Sequence, residues 1–148
     1  MSLSHSYVFT VPSSAIDANG HVSNVAFVQW MQDAAVAHST AVGALALTAA
    51  HNGLWVVRSH HIDYKRQTFL GDRIEVRTWI ADCRLVSSRR RYEFHRISPE
   101  LPEDAGLKSQ DSGSLLAKGE TDWVLIDATT HQPKPIPADL QALYSPPA

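Results

Sequence analysis

The chain has 148 residues, with 44% hydrophobic and 19% charged side chains and a formal net charge of −2. That is the composition of one soluble globular domain over residues 1–148, large enough to bury a core without staples. The near-neutral balance gives no basis for a nucleic-acid or acidic-membrane partner. The single cysteine, Cys83, excludes an internal disulfide and fits a reducing cytoplasm. The opening "MSLSHSYVFTVPSSAID" has no basic region followed by an apolar run, so no signal peptide is expected. No apolar stretch approaches the roughly 18 residues of a membrane span.

In chain order, "YVFTV" (Tyr7–Val11) is β-branched and aromatic, ends at Pro12, and predicts a short strand. The loop "IDANGHVSN" follows. From Asn24 to about Val42 the spacing predicts one helix, with Phe27, Met31, Ala34, His38 and Ala41 on a stripe that Val28, Ala35 and Val42 widen. Ser23 or Asn24 can cap it, and Gly43 can stop it. The helix is rich in alanine and apolar around much of its girth, which predicts burial against close neighbours. Ala44–Gly53 is a short helical or irregular link.

The remainder reads as strands: Trp55–Gln67, Asp72–Arg84, Leu85–Ile97 and Ser114–Ala128. Ile74, Val76, Thr78 and Ile80 share one face, as do Tyr92 and Phe94, with Arg91, Glu93 and His95 opposite. Ser98–Gly113 is rich in Pro, Gly and acids and predicts a surface loop. Thr129–Pro137 predicts a turn before a short helix at "ADLQALY". Consecutive long strands favour an antiparallel sheet, and the one long helix must pack on its face. The fold class is α+β.

Several chemistries find no motif. There is no G-x-G-x-x-G, P-loop or G-x-S-x-G. His60 and His61 are adjacent on a strand and face opposite ways, so no metal site is expected. Cys83 reads as a small core residue rather than a nucleophile.

"DANGHVSN" admits two readings. Asp, Asn and Gly favour turns and Ser caps helices, so it can be a well-made helix start. A helix N-terminus also presents unpaired N–H groups that can polarise a carbonyl. A carboxylate just upstream can activate water or attack directly. Spacing alone leaves both open.

A resemblance extends along the chain. "DANGHVSNVAFVQWMQDAA", "VVRSHHIDYKRQTFLGDRIEVRTWI" and "LLAKGETDWVLIDATTHQPKPIPADL" resemble, in order, three segments of the hotdog-fold thioesterases of the 4-hydroxybenzoyl-CoA thioesterase-like group. It implies a long antiparallel sheet wrapped around one central helix, in homodimers or homotetramers with sites at subunit interfaces and edge strands joined. It implies hydrolysis of coenzyme A thioesters, or of acyl-carrier-protein thioesters, with coenzyme A as part of the substrate and no further cofactor. An acyl-CoA-binding module without turnover would share the fold.

The same resemblance puts Asp17 at the catalytic carboxylate position and the Asn24 N–H at the donor to the thioester carbonyl. Gly20 permits the tight approach before the helix. Asn19 and His21 resemble the N-x-H of plant acyl-carrier-protein thioesterases, and His21 is a structural hydrogen-bonder or a helper in proton transfer. Ser23 replaces the family's first asparagine and Phe27 its tyrosine. No glutamate stands in the helix, whose nearest candidates, Gln32 and Asp33, lie about two turns in, and this favours the Asp17 design. Arg89, Arg90 and Arg91, with Lys65 and Arg66 as second candidates, are placed to hold the nucleotide phosphates; the alternative is a solvated strand face balanced by Glu75 and Glu93. Gly53 can approach the thioester opposite the helix, and Phe27, Trp30, Met31 and Trp55 would shape the acyl pocket.

Overall fold

A computed structural model describes residues 3–97 and 114–145. The order is β1 (His5–Thr10), a 3-10 turn at Ser13–Ala15, α1 (Asn24–Ala41), α2 (Ala44–Ala50), β2 (Gly53–Tyr64), β3 (Arg73–Cys83), β4 (Ser87–Ile97), β5 (Ser114–Asp127) and α3 (Ala138–Ala142). One antiparallel sheet runs β1-β3-β4-β5-β2. The α+β expectation holds, and every expected strand and helix is present with its ends within three residues of those expected. The expected Ser98–Gly113 loop lies outside the described residues.

Alternation sets the inner face. Ile74, Val76 and Thr78 on β3 and Tyr92 and Phe94 on β4 are buried, while Glu75, Arg77, Arg91 and Glu93 point the other way. Backbone irregularities interrupt the ladders at Ile80/Asp82, Phe94/His95 and Val57/Ser59. Bulges of this kind bend strands and add twist, as a sheet curving around a helix requires.

α1 lays Phe27, Trp30, Met31, Ala34, Ala35 and His38 on that face. Ala41, placed on the stripe by its spacing, is exposed, because the helix ends there and turns away at Gly43 (φ +80). Aromatic edges lock the helix down: Phe27 meets Phe94 at 5.0 Å, Trp30 at 5.2 Å and Tyr64 at 5.2 Å between ring centroids. The burial is one-sided. Val25 is 75% exposed and Val36 52%, and Leu45, Leu54 and Val56 form further exposed apolar surface beyond them.

Met31 of α1 packs directly on Gly119 of β5. A Cβ there would lie 2.9 Å from Met31 Sδ and 3.2 Å from its Cε. Met31 is fully buried and has no room to withdraw. A second, smaller core joins Ala44, Leu125, Ile136 and Leu140 under α2 and α3. Cys83 belongs to neither core: the residue is exposed at the last position of β3.

Gly119→Val should destabilise the fold by about 1–3 kcal/mol through overpacking against Met31, read as a fall in the midpoint of chemical denaturation.

Candidate active site

The loop before α1 is built from its own backbone. Asp17 N–H donates to the His21 carbonyl at 2.8 Å, and Gly20 N–H donates to the Asp17 carbonyl at 3.0 Å. Ile16 and Val22 pair across the loop. Gly20 sits at φ +78, a conformation that disfavours any side chain. The Asp17 side chain then closes the turn: its Oδ1 accepts from the N–H groups of Asn19 at 2.9 Å and His21 at 3.3 Å. Both bonds use Oδ1. Oδ2 has no hydrogen-bond donor among the described residues, and the side chain stands at the exposed surface.

Two further backbone bonds fasten this loop to the body of the protein. Ser23 N–H donates to the Ala15 carbonyl at 2.8 Å and Val22 N–H to the Thr68 carbonyl at 2.9 Å. The His21 ring rests edge-on against Phe69, 5.4 Å between centroids. His21 thus has a structural partner in the ring contact.

Ser23 is the N-cap, its Oγ accepting from Val25 N–H at 3.2 Å. The cap takes Val25 and leaves Asn24: its N–H has no acceptor among the described residues. The Asn24 carbonyl accepts from Tyr64 Oη at 2.9 Å, so β2 also holds the start of the helix. The result is a carboxylate oxygen and an amide donor, neither with a partner among the described residues, seven residues apart on one pinned segment. That is the equipment for polarising a carbonyl and delivering a nucleophile to it.

The other predicted residues are dispersed. Strand alternation splits the three arginines. Arg89 is turned outward, bonded to Asp122 at 2.9 and 3.4 Å and 3.7 Å from Glu120, while Arg91 lies 3.6 Å from that same glutamate. Arg90 is turned inward and is 2% exposed. The expectation of one arginine patch is corrected: adjacent strand residues cannot share a face. Lys65 and Arg66 are exposed and follow Tyr64 directly, on the side that reaches Asn24.

Gly53 is buried far from the loop, where a Cβ would come within 2.9 Å of Leu125; its role is to let β2 pass under α2. Of the residues expected to shape an acyl pocket, Phe27, Trp30 and Met31 fill the main core. Of the four, Trp55 alone lines a cavity of about 340 Å³ between the second half of α1, α2, α3 and the sheet. Cys83 is on that cavity's wall, and burial pushes its thiol pKa up, which disfavours a thiolate nucleophile.

Sequence reasoning missed a buried polar cluster at the same cavity. Arg90 Nη1 donates to His38 Nδ1 at 2.9 Å and to Thr78 Oγ1 at 3.0 Å. A guanidinium has only donors, so His38 Nδ1 must be unprotonated. Burial first, then Arg90 and His5, lower the His38 pKa to about 4. His5 stacks on the ring at 5.2 Å and Tyr144 meets it edge-on at 4.9 Å. The signal was in the sequence: Arg90 shares strand parity with Tyr92 and Phe94, and His38 lies on the apolar stripe.

The family model described as "Thioesterase-like superfamily" matches residues 11–143. The chain belongs to that superfamily. Solved structures agree on the fold. A 1,4-dihydroxy-2-naphthoyl-CoA thioesterase from Synechocystis is 18% identical, with a TM-score of 0.76 over 95% of this chain and 94% of that one. A 4-hydroxybenzoyl CoA thioesterase complexed with 4-hydroxybenzoyl CoA is 16% identical, at 0.79 over 96% and 99%. The dynemicin thioesterase is 17% identical, at 0.79 over 98% and 99%. Comparison with curated proteins found no match. The thioesterase-like fold is therefore the hotdog arrangement, a sheet curled on a central helix. No helix among the described residues is long and apolar enough to cross a membrane.

Ser23→Ala should cost about 0.5–2 kcal/mol through loss of the cap, which thermal melts would show as a drop of a few degrees. The depressed His38 pKa has a defined sign. Neutral His38 is preferred in the folded chain, so its contribution is complete above about pH 6.5 and is lost as pH falls from there through about 4. Denaturation midpoints should decline over that window, and His38→Gln should flatten the decline.

Proposed function

We propose that this chain hydrolyses an acyl-CoA thioester to the free acid and coenzyme A at the Asp17 loop. The observation that carries the reading is the pairing of Asp17 Oδ2 and the Asn24 N–H, both without partners among the described residues, at a helix start pinned by backbone bonds. Membership of the thioesterase-like superfamily supports the reaction class.

The thioester carbonyl oxygen accepts from Asn24 N–H at the positive end of α1, and the negative charge that builds on attack is held there. Asp17 Oδ2 either takes a proton from water as it attacks the carbonyl carbon, or attacks the carbon itself. In the first course the tetrahedral intermediate expels the CoA thiolate and leaves the acid. In the second the thiolate leaves a mixed anhydride, which water then opens to regenerate the carboxylate. Oδ1 stays bonded to Asn19 and His21 throughout, so the loop keeps its shape while Oδ2 reacts. His21, fixed against Phe69, positions that loop.

The nucleotide phosphates call for cations beside this loop. Lys65 and Arg66 follow Tyr64, whose hydroxyl bonds the Asn24 carbonyl, and supply that charge; Arg89 and Arg91 pair with Asp122 and Glu120. The one-sided burial of α1 and the exposed Leu54 and Val56 on edge strand β2 support a homodimer that covers them.

Asp17→Asn should keep the folded spectrum and melting temperature while hydrolysis of a CoA thioester panel, followed by thiol release, falls by at least about 10²-fold. Turnover close to wild type would remove Asp17 from the mechanism.

A further inference from the structure

The cavity at the far end of α1 carries a charge with no partner of opposite sign among the described residues. Ala35 and Val36 lie about 16 Å along the helix from Asn24, so the cavity is separate from the Asp17 loop within the chain. Its walls are mostly apolar, with Leu54, Trp55, Ile80 and Leu140 prominent among them. Arg90 stands in that wall and is almost wholly buried.

No acidic group among the described residues compensates it. Its side-chain hydrogen bonds go to neutral groups: Nη1 donates to His38 and Thr78, and the Tyr144 hydroxyl is a further partner. Tyr144 packs its ring over the guanidinium, 5.5 Å from Cζ to centroid. The groups that act on Arg90 electrostatically are tyrosines, not carboxylates. The acids of neighbouring strands, Asp122 and Glu120, are engaged by Arg89 and Arg91 on the opposite face of the sheet. A buried charge is normally paired or it is costly. Nε and Nη2 carry donors that neither His38 nor Thr78 takes up. A second wall residue, Trp123, has its indole N–H buried without an acceptor.

We propose that this cavity binds a ligand with an apolar body ending in a carboxylate, the carboxylate pairing with Arg90. A planar guanidinium matches a carboxylate in two parallel hydrogen bonds. The apolar walls suit a hydrocarbon and disfavour a heavily hydrated dianion such as phosphate. Two sources share this chemistry: a free carboxylic acid, or the distal carboxylate of a dicarboxylic acyl group carried on a thioester. Only the second rests on the proposed thioester hydrolysis.

The test is titration of octanoate, with octan-1-ol as the neutral counterpart, into the full chain near neutral pH, following emission of Trp55 and Trp123 in the cavity wall. Wild type should bind octanoate at least about tenfold more tightly than octanol, the scale expected for a hydrogen bond to a charged group. Arg90→Met, which replaces a buried charge by an apolar side chain of similar length and should therefore fold, should abolish that preference and leave octanol binding unchanged. Equal affinities in wild type, or octanoate binding retained by folded Arg90→Met protein, would overturn the proposal; if the variant does not fold, the wild-type comparison decides. Hydrolysis of hexadecanoyl-CoA and of the hexadecanedioic acid mono-CoA thioester, whose chain is long enough to reach from Asn24 to the cavity, then separates the sources. A tenfold or larger kcat/KM preference for the ω-carboxy thioester, lost in Arg90→Met, assigns the acyl tail. Octanoate binding without that preference assigns the free acid, and it stands whether or not Asp17→Asn abolishes turnover.

Discussion

The contact of Met31 with Gly119 fixes how deep α1 lies in the sheet. An apolar helix with alanine along its spine has nowhere to go in water, and a sheet with one buried face needs a cover. The two requirements are met together only if the helix comes very close, and a strand residue without a side chain permits this. Once that depth is set, the Phe27, Phe94 and Tyr64 edges can meet, and Tyr64 can reach the Asn24 carbonyl. The position of the helix start, and with it the candidate site, follows from packing half a helix away.

The loop shows how local chemistry and site chemistry coincide. Asp17 makes an ordinary turn with one carboxylate oxygen and leaves the other exposed. Ser23 caps the Val25 amide and leaves the preceding one, that of Asn24, without an acceptor among the described residues. A helix start that satisfied all its donors internally would be more stable and would have nothing to offer a substrate. Here the unsatisfied groups are few, adjacent and on a rigid support, which is what electrostatic stabilisation of a developing oxyanion requires.

Much of this was legible in the chain. Alternation on β3 and β4 and the three-four spacing of α1 gave the elements, because both periods report which face is buried. The helix cap at Ser23 and the turn at Gly20 were legible because their chemistry is local. What spacing could not show was where the loop is tied: Thr68 and Tyr64, both far along the chain, hold it through a backbone carbonyl and a hydroxyl that leave no pattern. The arginine run was misread for a related reason. Three consecutive cations look like one patch in a sequence, but the two-residue period of a strand sends Arg90 into the core and its neighbours into ion pairs. Cys83 reads as a core residue by type, yet stands exposed at the last position of β3, on the cavity's wall.

The account stands on the Asn24 amide being the group that receives the thioester carbonyl. A crystal structure with a non-hydrolysable CoA thioester analogue, the sulfur replaced by methylene, measures this directly. The carbonyl oxygen should lie about 2.7–3.2 Å from Asn24 N, with the carbonyl carbon facing Asp17 Oδ2. An analogue bound with its carbonyl elsewhere, and Asn24 N–H facing only solvent, would contradict it.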